Sequence, residues 1–328
     1  LNILIVRVSS LGDVVHNMPM VSDIRRHFPT ANIDWVVEEG YTRLVRMNPD
    51  VRRIIPIALR RWRRSLLSAA TRAEIAKFRK QLKQDTYDVV FDTQGLLKTS
   101  VVMRMARLAP NGQRIGLANA TEGSGYEPLS RIFHTKSIKV GLHTHAVLRA
   151  REVAAQALGY GIDGTADFNM HPAAMKPADL PAWFSATPYA VFFHGTARAA
   201  KRWSSTNWVR IAALLAERGL PVLLPWGSEA EKSSAEQLAS QMSNARVLPK
   251  LPLMEAILLA QRAALVIGVD TGLTHIAAAF NRPTIELYCD SPRWKTEGNW
   301  SPQIINLGDI GMPPTVEQVA LAVDTLAV

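Results

Sequence analysis

The chain has 328 residues, 48% hydrophobic and 20% charged, which is enough for two domains with separate cores. Its single cysteine, Cys289, excludes an internal disulfide and fits a reducing compartment. No run approaches the roughly 20 apolar residues that span a bilayer, and the short apolar start, interrupted by Arg7, does not read as a signal peptide. The net charge of +10 calls for an anionic partner, whether nucleic acid, anionic lipid or a phosphorylated substrate.

Extended and helical patterns alternate along the chain. Ile3–Val8 reads as a buried strand, Ser9-Ser10-Leu11-Gly12-Asp13 as a small-residue loop, and Val14–His27 as a helix. This is neither GxGxxG nor a P-loop, which weakens the simple dinucleotide and NTPase readings. Asp13 has two roles open to it: capping the helix, or acting as a base at the carboxyl end of a parallel strand, where open α/β sheets place ligands. Strands are also predicted at Ile33–Val37, Arg53–Ile57, Val89–Asp92 and Gln113–Gly116, and helices at Arg72–Lys83, Lys98–Arg107 and Val147–Leu158. Arg52, Arg53, Arg60, Arg61, Arg63 and Arg64 crowd one short stretch together with Trp62. With Leu66-Leu67 alongside, that segment reads as contact with a membrane surface. No helix-turn-helix, zinc or RNA-binding signature accompanies the charge.

Four prolines, Pro172, Pro177, Pro181 and Pro188, mark a linker over 171–188. The predicted domains are therefore 1–170 and 189–312, with a final helix over Thr315–Leu326 that could pack back on the first domain. The pattern restarts with strands at Tyr189–Phe193, Pro221–Leu224, Arg246–Leu248, Leu265–Val269 and Thr284–Tyr288. Helices at Trp208–Glu217, Ala230–Met242 and Leu253–Gln261 lie between them. About five strands per half predict an α/β protein of two Rossmann-like doubly wound domains facing a central cleft.

Three strand ends in the second half carry candidate ligand groups. Asp270-Thr271-Gly272 separates a strand from a helix beginning near Ile276, a geometry that binds phosphate through free N–H groups and the helix dipole. Thr271 offers a hydroxyl, Gly272 allows close approach, and His275 shares a helix face with Thr271. After Tyr189–Phe193, Thr196 and Lys201 suit phosphate oxygens. Glu231 suits the hydroxyls of a ribose or equally the first turn of a helix. The chain has no Asp-x-Asp, and His143 and His145 lack companions that would complete a metal site.

Taken together, Leu4-Ile5-Val6-Arg7-Val8-Ser9-Ser10-Leu11-Gly12-Asp13, Asp34-Trp35-Val36-Val37-Glu38-Glu39-Gly40, Arg60-Arg61-Trp62-Arg63, Asp92-Thr93-Gln94-Gly95-Leu96, Lys201-Arg202-Trp203 and Asp270-Thr271-Gly272-Leu273-Thr274-His275 resemble the heptosyltransferases of lipopolysaccharide core synthesis. The opening and the Arg-Arg-Trp-Arg run look like the first-acting enzyme of that family rather than the second. The resemblance implies a GT-B glycosyltransferase with no cofactor and no metal requirement. It would move L-glycero-D-manno-heptose from ADP-heptose to a 3-deoxy-D-manno-octulosonic acid (Kdo) residue of lipid A, on the cytoplasmic face of the inner membrane.

By the same resemblance Asp13 is the catalytic base. Thr196, Ala197, Lys201, Glu231, Leu251, Asp270, Thr271, Gly272 and His275 bind the donor. Ser9, Ser10, Gly12, Arg60, Arg61, Arg63, Arg64 and Lys98 meet the anionic acceptor. Ala197 stands where relatives carry a second Thr, Leu251 where a Met lines the adenine pocket, and Tyr288-Cys289-Asp290 lacks a Gly usual after the Tyr. Two other readings compete: another GT-B nucleotide-sugar enzyme, such as a later heptosyltransferase or an epimerase, and a basic nucleic-acid-binding α/β protein.

Overall fold

The computed structural model describes residues 1–171, 184, 187–196 and 198–326. The predicted linker falls largely outside these residues, as does Ala197. The chain divides into two compact units, Leu1–His171 and Pro172–Val328.

In the first unit β1 (Asn2–Val6), β2 (Asn32–Glu38), β3 (Val51–Ile57), β4 (Thr86–Asp92), β5 (Arg107–Leu117) and β6 (Lys136–Ile138) form a parallel sheet ordered β3-β2-β1-β4-β5-β6. The connecting helices are α1 (Leu11–His16), α2 (Met18–His27), α3 (Thr42–Val45), α4 (Leu59–Trp62), α5 (Ala69–Leu82), α6 (Leu97–Met105) and α7 (Ala146–Leu158). Ile3, Leu4, Ile5 and Val6 are fully buried, as expected for a central parallel strand covered on both faces.

The helix expected over Val14–His27 is two helices. Pro19 lacks an N–H, so the ladder breaks at Asn17, whose side-chain amide donates to the Asp13 carbonyl at 2.8 Å.

The second unit repeats the architecture. Strands β7 (Ala190–Phe193), β8 (Val222–Leu224), β9 (Ala245–Val247), β10 (Leu265–Val269), β11 (Thr284–Tyr288) and β12 (Ile304–Gly308) are ordered β12-β11-β10-β7-β8-β9. Helices α8 (Ser205–Glu217), α9 (Glu229–Ala239), α10 (Leu253–Arg262), α11 (Gly272–Ala279) and α12 (Val316–Thr325) complete it. Each sheet has six strands where the sequence predicts about five. The additional ones are short β6 and half-exposed β12, whose apolar signal is weak.

The C-terminal helix packs within the second unit. Its apolar stripe, Val316, Val319, Ala322 and Val323, joins the second unit's core with Trp208 and Leu215. Trp203 Nε1 donates to the Pro314 carbonyl at 2.8 Å just before it, and Arg210–Glu317 and Arg218–Asp324 pair it with α8.

Both sheets have the connectivity 3-2-1-4-5-6 when each unit is counted alone, so each has one topological switch point. These lie between β1 and β4 in the first unit, and between β7 and β10 in the second. Open α/β sheets place their ligands at the carboxyl ends of such pairs.

Candidate functional site

The first switch point is built around Asp13. It is the third residue of α1, and its Oδ2 accepts the Ser10 N–H at 3.0 Å and the Ser10 hydroxyl at 2.8 Å. Its Oδ1 lies 2.7 Å from the Arg7 guanidinium. The capping and base readings therefore coincide in one side chain, which is 36% exposed. Burial acts to raise its pKa, but the Arg7 charge and the Ser10 hydrogen bonds prevail and hold it well below the usual carboxylate range.

Arg7 is fixed in turn by the Thr93 carbonyl, 2.5 Å from its Nη1, in the loop after β4. That loop is held by the buried Asp92, which accepts from the Gln94 and Gly95 N–H groups and from the Thr99 and Ser100 hydroxyls. Gln94 Oε1 closes the circuit by accepting the Val8 N–H at 3.2 Å.

Arg149 on α7 was not anticipated. It is 7% exposed, donates to the Thr121 hydroxyl at 2.9 Å, and has no carboxylate partner among the described residues. Burial and then the like charge of Arg7 lower its pKa to about 10, with Asp13 opposing. A buried guanidinium hydrogen-bonded to a neutral hydroxyl is chemically suited to pair with an anion.

The basic stretch is more divided than its sequence suggests. Arg52 and Arg53 are taken up by Asp34 and Asp85, and Arg61 by Glu39 and Glu74. Trp62 does not face outward. It is buried against Phe78, with Nε1 donating to Glu74 at 2.7 Å. Arg60 lies over the Tyr41 ring, 5.8 Å from its centroid. Arg63, Arg64 and Lys98 are exposed without carboxylate partners among the described residues, and Leu67 beside them is 90% exposed. Ser9 lies in the loop between β1 and α1, and Gly12 precedes Asp13 in the first turn of α1.

The second switch point gathers the donor candidates. Lys201, in the turn after β7, contacts Asp270 Oδ2 at the end of β10. His275 on α11 places Nε2 3.0 Å from Asp270 Oδ1 and Nδ1 2.9 Å from Glu286 Oε1. Burial would lower the His275 pKa, but the Glu286 charge and the hydrogen bonds to Asp270 and Glu286 raise it to about 10. Asp270 falls well below the carboxylate range, burial being outweighed by His275 and Lys201.

Thr271 is the N-cap of α11, yet its hydroxyl makes no cap hydrogen bond, and Gly272 begins the helix. That hydroxyl and the first N–H groups of α11 offer donors for an anion.

Glu231 stands in the first turn of α9 and accepts the Gly227 N–H at 2.7 Å. A Cβ at Gly195 would come within 2.9 Å of the Glu231 carboxyl carbon, so the strand-end glycine is what admits Glu231 beside β7. Thr196 follows it, largely buried. Leu251 is half-buried against the core of that side of the sheet. The structure thus brings Lys201, Asp270 and His275 together at one end of the β7–β10 pair, with Glu231 next to Gly195.

Arg7, Arg149 and Glu286 are the residues missed. Arg7 and Glu286 each had a faint signal, a lone charge in an apolar strand pattern. Among the described residues no group of three His, Cys, Asp or Glu side chains is arranged to hold a metal ion, and no helix is long and apolar enough to cross a membrane.

A family model described as glycosyltransferase family 9 (heptosyltransferase) matches residues 75–322. Lipopolysaccharide heptosyltransferase 1 of Pseudomonas aeruginosa is 40% identical over 291 residues, covering 88% of this chain and 78% of that protein. The enzyme of the same name from Escherichia coli K12 is 38% identical, covering 88% of each. The solved structure of E. coli heptosyltransferase WaaC with ADP matches at a TM-score of 0.83 and 34% identity, covering 100% of this chain and 99% of that one.

Proposed function

The chain belongs to glycosyltransferase family 9, the heptosyltransferases, and we propose that it moves L-glycero-D-manno-heptose from ADP-heptose to the Kdo of lipid A, as the first heptosyltransferase of inner-core synthesis. The observation that carries the reading is that each unit has its own charged constellation at its own switch point: Asp13 with Arg7 on one, Lys201 with Asp270 and His275 on the other. The relatives named above include a structure solved with ADP, which supports the nucleotide donor.

In this reading the acceptor lies on the first unit. Asp13, held ionised by Arg7 and Ser10, takes the proton as the acceptor hydroxyl becomes acidic in the transition state. The hydroxyl oxygen attacks the anomeric carbon from the face opposite ADP, so the configuration inverts. Arg149 meets the carboxylate of the acceptor sugar acid, while Arg60, Arg63, Arg64 and Lys98 meet further anionic groups.

On the second unit ADP leaves against Lys201, the Thr271 hydroxyl and the α11 N-terminus. Those groups supply hydrogen-bond donors and partial positive charge to the developing phosphate charge, the part a divalent cation plays in other enzymes, and in this reading no metal or cofactor is needed. Glu231 takes the ribose hydroxyls and Asp270 the heptose.

The acceptor is a lipid, and the first unit offers a surface suited to one. Leu66 and Leu67 stand exposed beside Arg63 and Arg64. Leu97 and Val101 of α6 and Leu129 and Ile132 of the adjoining turn are exposed beside Lys98, Arg104 and Arg131. Apolar tips within a basic fringe fit peripheral contact with an anionic leaflet on the cytoplasmic side.

The test is transfer from ADP-heptose to lipid A bearing two Kdo residues, in EDTA. An inverted heptosyl product is expected. ADP binding without product would overturn the acceptor, and activity only after a divalent cation is added would overturn metal independence.

A further inference from the structure

Glu286 is the one charged residue of β11 and is 0% exposed. Each of its oxygens has work to do. Oε1 faces His275 Nδ1 at 2.9 Å, while Oε2 accepts the Tyr288 hydroxyl and the Gly298 N–H, each at 2.9 Å. The opposite nitrogen of His275 faces Asp270, and Asp270 faces Lys201.

An ionised carboxylate only accepts hydrogen bonds, so a ring placed between two of them must carry a proton on both nitrogens. The result is a row of alternating charge running from Lys201 through Asp270 and His275 to Glu286, neutral as a whole.

We propose that Glu286 is a positioning residue of the donor half-site: it keeps His275 an imidazolium, which fixes the Asp270 carboxylate and makes the charge beside the donor pyrophosphate constant through neutral pH. Glu286 touches no substrate and acts only through His275. The inference rests on the donor reading given above.

The His275 ring is hydrogen-bonded to two carboxylates, Asp270 and Glu286. β10 brings no titratable side chain to α11. The buried residues of α10, which also packs on α11, are Ala256, Ile257, Leu258, Leu259 and Ala260, while its charged Glu255 and Arg262 are not among them. From β11 the neighbours are Glu286 itself and Tyr288, whose hydroxyl burial keeps protonated. From the following loop Trp300 Nε1 donates to the Ala278 carbonyl, and Thr296 reaches Tyr288.

Glu286→Gln removes the charge and keeps the shape. Its carbonyl can still accept from His275 Nδ1, and the Gly298 N–H retains Asn306 Oδ1 at 3.0 Å. Without the second carboxylate, burial draws the His275 pKa back toward its ordinary range. The row then gains a net positive charge as pH falls, and an anionic ligand binds more tightly there.

Two measurements on the full chain decide the matter. The first is the imidazole nitrogen NMR spectrum of the wild type, with His275 assigned by comparison with His275→Gln. A doubly protonated ring at pH 8 is expected, and a neutral ring at pH 8 overturns the proposal. The second is ADP binding by calorimetry between pH 6 and pH 9. Affinity of Glu286→Gln should climb toward low pH at least about fivefold more than the wild type's, the titration of ADP itself being common to both. Superimposable profiles overturn the proposal. Failure of the wild type to bind ADP overturns the donor reading instead, and the NMR result then decides the role of Glu286, as it does if the variant fails to fold.

Discussion

The two switch points use carboxylates in opposite ways. At the first, Asp13 is half-exposed and stands among cations, with Arg7 paired to it and Arg149 nearby without a carboxylate of its own. At the second, Asp270 is more deeply placed and its charges alternate, Lys201 and His275 being balanced by Asp270 and Glu286. A base that must take a proton from a substrate needs access and a surplus of positive charge to receive an anionic acceptor. A cradle for a leaving group needs fixed geometry, which buried alternating charges provide.

The contrast is broken most severely at Asp13. Asp13→Asn should lower kcat by about 10²–10⁴, the usual range for a lost general base, with little change in donor KM. A near-normal turnover number would remove the base from the account. Because the Asp13 pKa is depressed, its loss of charge lies below the ordinary carboxylate range, and the kcat profile of the wild type should show no acid limb from this group above about pH 4.

Arg149→Met sharpens the surplus-charge side. Acceptor KM should rise roughly 10–100-fold, the value of a charged hydrogen bond, with donor KM unmoved. The variant should also be as stable as the wild type or more so, by about 1 kcal/mol, since it removes a buried charge lacking a carboxylate. A thermal midpoint that falls instead would mark Arg149 as structural.

His275 tests the alternating side through pH. Its folded pKa, about 10, lies above the ordinary 6.5, so the stability it contributes is complete below about pH 6.5 and drains away as pH rises through 10. The gap in thermal midpoint between wild type and His275→Gln should therefore shrink from pH 7 to pH 10, by at least about 3 °C. A constant gap would contradict the charged ring.

The smallest effect separates arginines adjacent in sequence. Arg61→Ala should change acceptor KM less than about twofold, its charge being engaged by Glu39 and Glu74 on the surface. Replacing Arg63 and Arg64 together should raise it several-fold, with an effect that fades as salt increases. Equal effects would dissolve the distinction.

Much of this was legible before the structure. Apolar runs ending in Ser-Ser-Leu-Gly-Asp and Asp-Thr-Gly mark strand ends locally, and four residues between Thr271 and His275 place both on one helix face. The partners of those groups were not legible, because they arrive through strand order. Arg7 reaches the Thr93 carbonyl because β1 pairs with β4. Glu286 reaches His275 because β10 pairs with β11, bringing Gly268 beside Glu286. Arg149 comes from a helix more than a hundred residues downstream of Asp13. In the Arg-rich stretch the density of charge is visible in the sequence, whereas the acids that pair with Arg52, Arg53 and Arg61, namely Asp34, Glu39, Glu74 and Asp85, are scattered.

The division of labour is tested most directly by ADP binding, measured by calorimetry on the wild type, Asp13→Asn and Lys201→Met. The account predicts that Asp13→Asn binds ADP within about twofold of the wild type, while Lys201→Met loses about tenfold or more with its charge-assisted contact to phosphate. Loss of ADP affinity in Asp13→Asn as large as in Lys201→Met, or full affinity in Lys201→Met, would contradict it.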